Sequence, residues 1–142
     1  MWRIASNTKQ MSVVRRYYDE ALNTHVERLD AILADSFVEH EVVPGLPPTR
    51  EGLKQKYVQL RAGFSDLRFM VEDLVPSSDR IAARVQVSGT HDGVFMGQPP
   101  TGRRFVVTAV GIFRVAHGRI VEHWGVFDQM SMLAQLGALP HA

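Results

Sequence analysis

The sequence predicts a single α+β domain, and three observations support this fold class. Apolar residues recur at helical spacing in the first half of the chain, whereas the period shortens towards two beyond Ser65. The chain has 142 residues, enough for one domain with a sizeable core. We therefore expect one domain over residues 1–142, with a flexible segment at residues 1–10. Helices packed on a curved antiparallel sheet would enclose a cavity with one open mouth, where small ligands bind.

The first half of the chain predicts three helices. The first runs from about Met11 to Asn23 with its apolar side chains on one stripe, and a short second helix begins near Thr24. A rigid loop over residues 44–48 precedes Thr49, whose hydroxyl is suited to cap the third helix. Each helix would turn its apolar face towards the sheet.

The second half predicts four antiparallel strands and a short C-terminal helix. The strands cover residues 67–75, 80–91, 105–115 and 119–127. The last two are joined by a hairpin-like turn in which glycine supplies a permissive backbone. A Met/Leu pattern of helical spacing follows the last strand.

Composition excludes several classes of function. The formal net charge is +1 and no basic run occurs, so we expect neither a nucleic-acid partner nor an acidic membrane surface. The absence of cysteine excludes disulfides, thiolate nucleophiles and zinc–thiolate sites. No apolar run is long enough to span a bilayer, and no signal-peptide pattern is visible, so the expected location is the cytoplasm.

Asp128 is the leading catalytic candidate because it follows Val126 and Phe127 where the last strand gives way to a helix. Apolar surroundings would remove its solvation and make it a stronger general base. Strict strand alternation places Trp124 on the same face, where its indole would support an aromatic ligand, and His123 on the other. The alternative is that Asp128 only caps the final helix and Trp124 only packs in the core.

Three further polar residues are candidates for the site. Arg84 lies mid-strand and would either orient Asp128 or bind a substrate oxygen, unless it faces solvent on the outer sheet surface. His40 and His91 lie at a loop start and a strand end, where each could stabilise a carbonyl that gains negative charge or simply hold its loop. No two histidines have metal-ligand spacing, so no metal is expected.

The segment 89–102 contains four glycines and two adjacent prolines. It lacks the phosphate-loop pattern and any nucleophile elbow or dinucleotide fingerprint. We expect a shaped loop that places Phe95 and Met96 over the cavity mouth as an apolar lid. Together with Tyr57 from the third helix, these side chains are the predicted substrate contacts.

Several of these runs resemble the SnoaL-like polyketide cyclase (ester cyclase) family. They are Glu-His-Glu-Val-Val-Pro-Gly-Leu-Pro-Pro-Thr-Arg-Glu-Gly, Gly-Thr-His-Asp-Gly-Val-Phe-Met-Gly-Gln-Pro-Pro-Thr-Gly-Arg, and Phe-Arg-Val-Ala-His-Gly-Arg-Ile-Val-Glu-His-Trp with Asp128 after it. The resemblance implies a cone-shaped barrel of the NTF2-like type, assembled as a homodimer or homotetramer. It also implies an aspartate general base, matched in position by Asp128, and no metal or organic cofactor.

The reaction implied by the resemblance is an intramolecular aldol condensation that closes a ring of a polyketide-like keto ester. Asp128 would remove the proton, and His40 and His91 would stabilise the enolate. The family's cyclases also use a histidine on an upstream strand, but Thr108, Val110 and Ile112 occupy much of that strand here.

Two other functions remain open at the level of sequence. One is a non-catalytic protein that binds a hydrophobic or aromatic small molecule. The other is an epoxide hydrolase-type enzyme in which Asp128 and Arg84 activate water. In each case we expect a homo-oligomer, since strand alternation places His123 and Phe127 on the outer sheet face.

Overall fold

The computed structural model describes residues 2–139, with side chains from Asn7 onward. Met1 and residues 140–142, which the predicted domain includes, lie outside this range. The side chains of residues 1–6 are outside the described part of the chain, so the flexibility expected of residues 1–10 stays a prediction. The helices are α1 (Trp2–Arg16, continued by a π-helical stretch Tyr17–Leu22), α2 (Leu29–Ile32, preceded by a short turn of 3₁₀-helix Val26–Arg28), α3 (Arg50–Gly63) and α4 (Gln129–Gln135). The strands are β1 (Leu33–Glu39), β2 (Arg68–Ser77), β3 (Arg80–Thr90), β4 (Arg104–Ala116) and β5 (Arg119–Phe127).

The five strands form one curved, open sheet in the order β1-β5-β4-β3-β2. The four predicted strands pair with one another in antiparallel fashion, and β1 adds to the edge of the sheet, parallel to β5. The predicted α+β class is therefore confirmed, but the sheet is mixed and has one strand more than expected. This additional strand places Glu39 directly opposite His123.

Helices cover one face of the sheet and supply a large part of the core. The first helix buries Val14, Tyr17 and Ala21 along the predicted stripe. Thr49 caps α3 as predicted, since its hydroxyl accepts a hydrogen bond from the Gly52 amide at 3.2 Å. Fixing this end of α3 holds its inner face against the concave side of the sheet.

A bulge at Val121 sets which side chains of β5 face the helices. Glu122 pairs with Arg114 and Ile120 with Val115, so Val121 has no residue opposite it and the alternation slips by one. His123 is therefore buried on the inner face, and Trp124 lies on the outer face. The predicted assignment of the two faces was wrong between His123 and the end of the strand.

The outer face of the sheet exposes apolar side chains of β4 and β5. They are Val106, Val110, Ile112 and Val126. The residues expected to form an oligomeric contact, His123 and Phe127, point inward instead, because they follow the bulge. Homo-oligomerisation itself stays a prediction. None of the helices within residues 2–139 is long and apolar enough to cross a membrane.

Candidate active site

A cavity of about 890 Å³ lies between the helices and the concave face of the sheet. This volume lies within the range of ordinary small-molecule sites. Most of the wall is apolar, with side chains that include Leu60, Phe69, Val85, Val87, Phe105 and Met132. Polar side chains are a minority of the wall, and several of them lie together around His123.

The centre of the cluster is a buried imidazole–carboxylate pair. His123 Nδ1 lies 2.6 Å from Glu39 Oε2, and only 5% of each residue is exposed. The same carboxylate oxygen accepts a hydrogen bond from the Glu41 amide at 3.2 Å. When the imidazole is neutral, its Nδ1–H donates to Glu39, which leaves the lone pair on Nε2. The pair thus fixes the tautomer in which Nε2 is a base.

Two glycines give the His123 ring its position. Gly111 and Gly125 lie opposite each other on β4 and β5. A Cβ atom at Gly111 would come within 2.7 Å of His123 Nε2, and one at Gly125 within 3.0 Å of it. The ring therefore fills space that the side chain of any residue other than glycine would occupy at these two positions. No group among the described residues hydrogen-bonds Nε2, and His123 lines the cavity.

A second carboxylate and a lysine continue the polar cluster along the wall. Glu41 Oε2 lies 2.5 Å from where a Gly125 Cβ would be, so this carboxylate and the His123 ring flank the same glycine. Its other oxygen, Oε1, is 3.5 Å from Lys56 Nζ. Glu41 and Lys56 both line the cavity.

Three phenols and two side-chain amides supply the rest of the polar lining, namely Tyr17, Tyr18, Tyr57, Gln59 and Gln129. Tyr17 and Tyr57 line the cavity, and burial raises the pKa of each well above its ordinary value. Interaction with Tyr57, and then the Glu39 carboxylate, raise the pKa of Tyr17 further. Both phenols therefore stay protonated at neutral pH. Tyr57, one of the predicted substrate contacts, lies in the wall as that role requires.

The structure places Asp128 and Trp124 away from the cavity wall. Asp128 is exposed and caps α4, where its Oδ1 accepts a hydrogen bond from the Ser131 amide at 3.1 Å. Trp124 stacks on the His40 ring, with centroids 4.7 Å apart and planes 5° from parallel. The geometry thus favours the capping interpretation of Asp128, and the expectation that these two residues share the cavity face was wrong.

His40 and Arg84 likewise lie outside the cavity wall. His40 Nε2 is 2.8 Å from Glu122 Oε2 on the outer side of β5. The hydrogen bond from His40, and then that from Arg114, hold the pKa of Glu122 below its ordinary range. Arg84 Nε donates to Asp73 Oδ2 at 2.8 Å on the exposed sheet surface. Arg84 and Asp128 therefore do not form the water-activating arrangement considered for an epoxide hydrolase.

His91 is buried at the base of the loop rather than in the cavity wall. Its Nδ1 lies 3.0 Å from the Thr101 hydroxyl, and its backbone bonds to Gly102 and Arg103 across the loop. These contacts close the two ends of the segment. Between the two ends, Phe95 and Met96 line the cavity, and Phe95 packs on Phe64 with ring centroids 5.0 Å apart. The role of this segment in substrate binding stays a prediction.

Sequence reasoning missed Glu39, Glu41, Lys56 and His123 as site residues. A signal for the first two was present, because Phe37, Glu39 and Glu41 recur at period two and point inward, while His40 points outward. Without β1 there was no reason to place Glu39 beside His123. No group of three or more His, Asp or Glu side chains in the described part of the chain is arranged to hold a metal ion.

A helix-covered curved sheet over an apolar cavity, with a few polar groups on one wall, is typical of small-molecule enzymes and binding proteins. The family model for SnoaL-like polyketide cyclase matches residues 12–136. The chain belongs to this family, and its fold is that of the NTF2-like proteins.

Solved structures agree with this assignment. Wild-type IdmH from Streptomyces antibioticus, a proposed polyketide cyclase, is 39% identical, with a TM-score of 0.80 over 90% of this chain and 98% of that one. TsrD from Streptomyces laurentii is 30% identical, with a TM-score of 0.78 over 95% and 97%. AclR from Streptomyces galilaeus, a proposed hydroxylase, is 25% identical, with a TM-score of 0.82 over 96% and 85%. None of the curated protein sequences matches the chain.

Proposed function

We propose that the protein is a cyclase that closes a ring by intramolecular aldol condensation of a hydrophobic keto ester, with His123 as the general base. The observation that carries this proposal is the buried Glu39–His123 pair, which presents an unpaired Nε2 to the cavity. Membership of a polyketide cyclase family supports the reaction class. The apolar wall supports an aromatic or similarly flat substrate.

The reaction begins with proton abstraction. His123 Nε2 takes the proton from a carbon flanked by two carbonyl groups, and the electron pair of that C–H bond forms an enolate. Glu39 stabilises the imidazolium that results and keeps the ring in place. The enolate carbon then attacks a second carbonyl carbon of the same molecule, which forms the C–C bond. The new alkoxide takes the proton back from His123, so the base is regenerated and no cofactor is consumed.

The cavity contributes to the rate by holding the substrate folded. An intramolecular condensation requires the enolate carbon and the second carbonyl to meet, which costs a flexible chain conformational entropy. A site that binds the folded form removes this cost before the chemical step, and well-oriented reactions gain up to about 7–11 kcal/mol in this way. The phenols of Tyr17 and Tyr57 remain protonated and offer hydrogen-bond donors to substrate oxygens.

Asp128 is the base that the family resemblance implies, and two substitutions separate Asp128 from His123 as the candidate base. Asparagine caps helices about as well as aspartate, so Asp128→Asn should keep α4 intact while removing the carboxylate. His123→Gln keeps a polar side chain of similar size but has no basic nitrogen. The two variants therefore compare the bases with little change in fold.

The test is deuterium incorporation at the acidic carbon of a panel of aromatic β-keto esters, followed by NMR. Proton exchange reports abstraction even when the ring does not close. We expect His123→Gln to slow exchange by roughly 10²- to 10⁴-fold, the usual contribution of a general base, and Asp128→Asn to leave it within about twofold. If exchange is lost in Asp128→Asn and kept in His123→Gln, Asp128 is the general base.

The same experiment addresses the second candidate function, a non-catalytic protein that binds a hydrophobic small molecule. The predominance of apolar side chains in the cavity wall favours binding whether or not chemistry follows. If the esters bind, as judged by calorimetry, but the wild-type protein exchanges no proton, the binding function is the correct one.

A further inference from the structure

We propose that Lys56 binds the substrate oxygen that becomes negative during the reaction, and that Glu41 positions its ammonium group. This inference rests on the proposed function for the identity of the substrate, an enolisable keto compound. It adds a binding site for an anionic oxygen to the base already described. Its test measures anion binding and does not require turnover.

The environment of Lys56 is that of a binding group rather than a surface charge. Lys56 lies on α3 beside Tyr57, lines the cavity, and has 16% of its side chain exposed. Its ion pair with Glu41 is loose, at 3.5 Å, and no hydrogen bond forms between them. An ammonium has three donors, so these remain available to a ligand.

Lys54 provides a contrast on the same helix. Its ammonium donates to Asp30 at 3.1 and 3.2 Å and to Glu51 at 3.2 Å. Hydrogen bonds to the first and then the second carboxylate raise the pKa of Lys54. Its donors are thus taken up by a structural network outside the cavity. Of the two lysines, Lys56 is the one placed to meet a substrate.

The positions of Glu41 and Lys56 relative to His123 suit a reaction in which an oxygen close to the acidic carbon becomes negative. Glu41 Oε2 lies on the Gly125 side, next to His123, whereas Oε1 faces Lys56. The acidic carbon of a keto ester and its carbonyl oxygen are joined through a single carbonyl carbon. The proposed binding mode places this carbon at His123 Nε2 and the carbonyl oxygen on the Lys56 side of the cluster. The ammonium would then stabilise the charge that develops on that oxygen.

Glu41 explains how a lysine is kept in an apolar wall. A charge removed from water is costly unless it is paired, and the Glu41 carboxylate supplies the pair. Because the contact is long, the ammonium can also bond a ligand oxygen without breaking it. An ammonium held in this way interacts more strongly with an anion than an ammonium in water does, because the surroundings screen the two charges weakly.

The experiment uses 4-nitro-1-naphthol, whose absorption distinguishes the naphtholate from the neutral form, and its methyl ether, which cannot ionise. The naphtholate resembles an aromatic enolate, and the ether matches its shape without the charge. Binding of both is measured by titration to the wild type, Lys56→Met and Lys56→Arg. Lys54→Met is the matched control, because it makes the same change in net charge on the same helix.

We expect Lys56→Met to weaken naphtholate binding by at least about tenfold, as for loss of a hydrogen bond to a charged group, and to change ether binding by less than about twofold. Lys54→Met should leave both affinities within about twofold, and Lys56→Arg should retain the preference for the anion. Retention of that preference in Lys56→Met, or an equal loss in Lys54→Met, would overturn the inference.

Two combinations of results distinguish the role of Lys56 from the cyclase reaction. Proton exchange that depends on His123, combined with an unchanged anion preference in Lys56→Met, would leave the base in place and remove only the role of Lys56. Absence of exchange, combined with a naphtholate preference that depends on Lys56, would remove the cyclase proposal and leave an anion-binding site.

Discussion

A histidine bonded to a glutamate lies on each side of β5, and the two pairs differ in which ring nitrogen they leave free. On the inner side His123 bonds Glu39 through Nδ1 at 2.6 Å, and both side chains are buried. On the outer side His40 bonds Glu122 through Nε2 at 2.8 Å, with 37% and 23% of the side chains exposed.

The difference shows that a histidine–carboxylate pair is not in itself a catalytic site. His40 bonds Glu122 through Nε2, and the Trp124 indole stacks on its ring. These two contacts give the His40 ring a structural role. His123 uses Nδ1 and keeps Nε2 for the cavity. Burial then strengthens the interaction with Glu39, because water does not compete for the carboxylate. Chemistry is expected only where the second nitrogen faces a ligand.

The largest expected difference between the two pairs is in the rate of proton exchange after each carboxylate is removed. Glu39→Gln should lower the rate of proton exchange by roughly 10³-fold, because the amide can offer its N–H to Nδ1 and so favour the wrong tautomer. Glu122→Gln removes the corresponding carboxylate of the outer pair and should leave the rate within about twofold. Steady-state exchange rates of the two variants check this, and equal losses would remove the distinction between the faces.

A smaller effect is expected when the space beside His123 is filled. Gly125→Ala places a Cβ 2.7 Å from His123 Cε1 and 2.5 Å from Glu41 Oε2, so both side chains must move. We expect exchange to fall by roughly tenfold, since misplaced catalytic groups lose rate steeply, and stability to fall by about 1–3 kcal/mol from overpacking. Urea denaturation measures the second quantity separately. A variant destabilised but fully active would show that the ring position is not critical.

The smallest effect concerns the outer pair and the pH dependence of stability. The folded-state pKa of Glu122 is lowered, first by His40 and then by Arg114, below the unfolded value of about 4.3. Its stabilisation is therefore present above about pH 4.3 and is lost as the pH falls through the folded-state pKa. Wild type should be more stable than Glu122→Gln at pH 6, and the difference should shrink below about pH 4.3 and vanish below the folded-state pKa of Glu122. Thermal unfolding as a function of pH tests this; a difference that persists in strong acid would contradict it.

Most of the fold could be predicted from the sequence because long elements have clear periods. The stripe of the first helix, the Thr49 cap and the last four strands follow from apolar spacing and turn residues alone. The first strand could not be recognised, since Asp35, Ser36 and the charged residues near its end give it the polarity of a loop. Its burial depends on pairing with β5, a long-range contact that no local pattern encodes.

The site was harder to predict, and one residue explains much of the difficulty. Counting by twos along β5 places the apolar Ile120 with Trp124, which suggests that Trp124 faces inward. The bulge at Val121 breaks that count, so Ile120 shares the inner face with His123 instead. Nothing in the local sequence marks the bulge. The apolar neighbours of Asp128 suggest a carboxylate that faces the cavity, although its side chain caps the helix that follows.

The tautomers of the two histidines test the proposed role of His123 most directly. They are read from the ¹⁵N shifts of the ring nitrogens at a pH where both rings are neutral. His123→Gln and His40→Gln assign the signals. We predict opposite tautomers, with the proton on Nδ1 of His123 and on Nε2 of His40. A proton on Nε2 of His123 would leave no basic nitrogen in the cavity and would contradict the proposed role of His123.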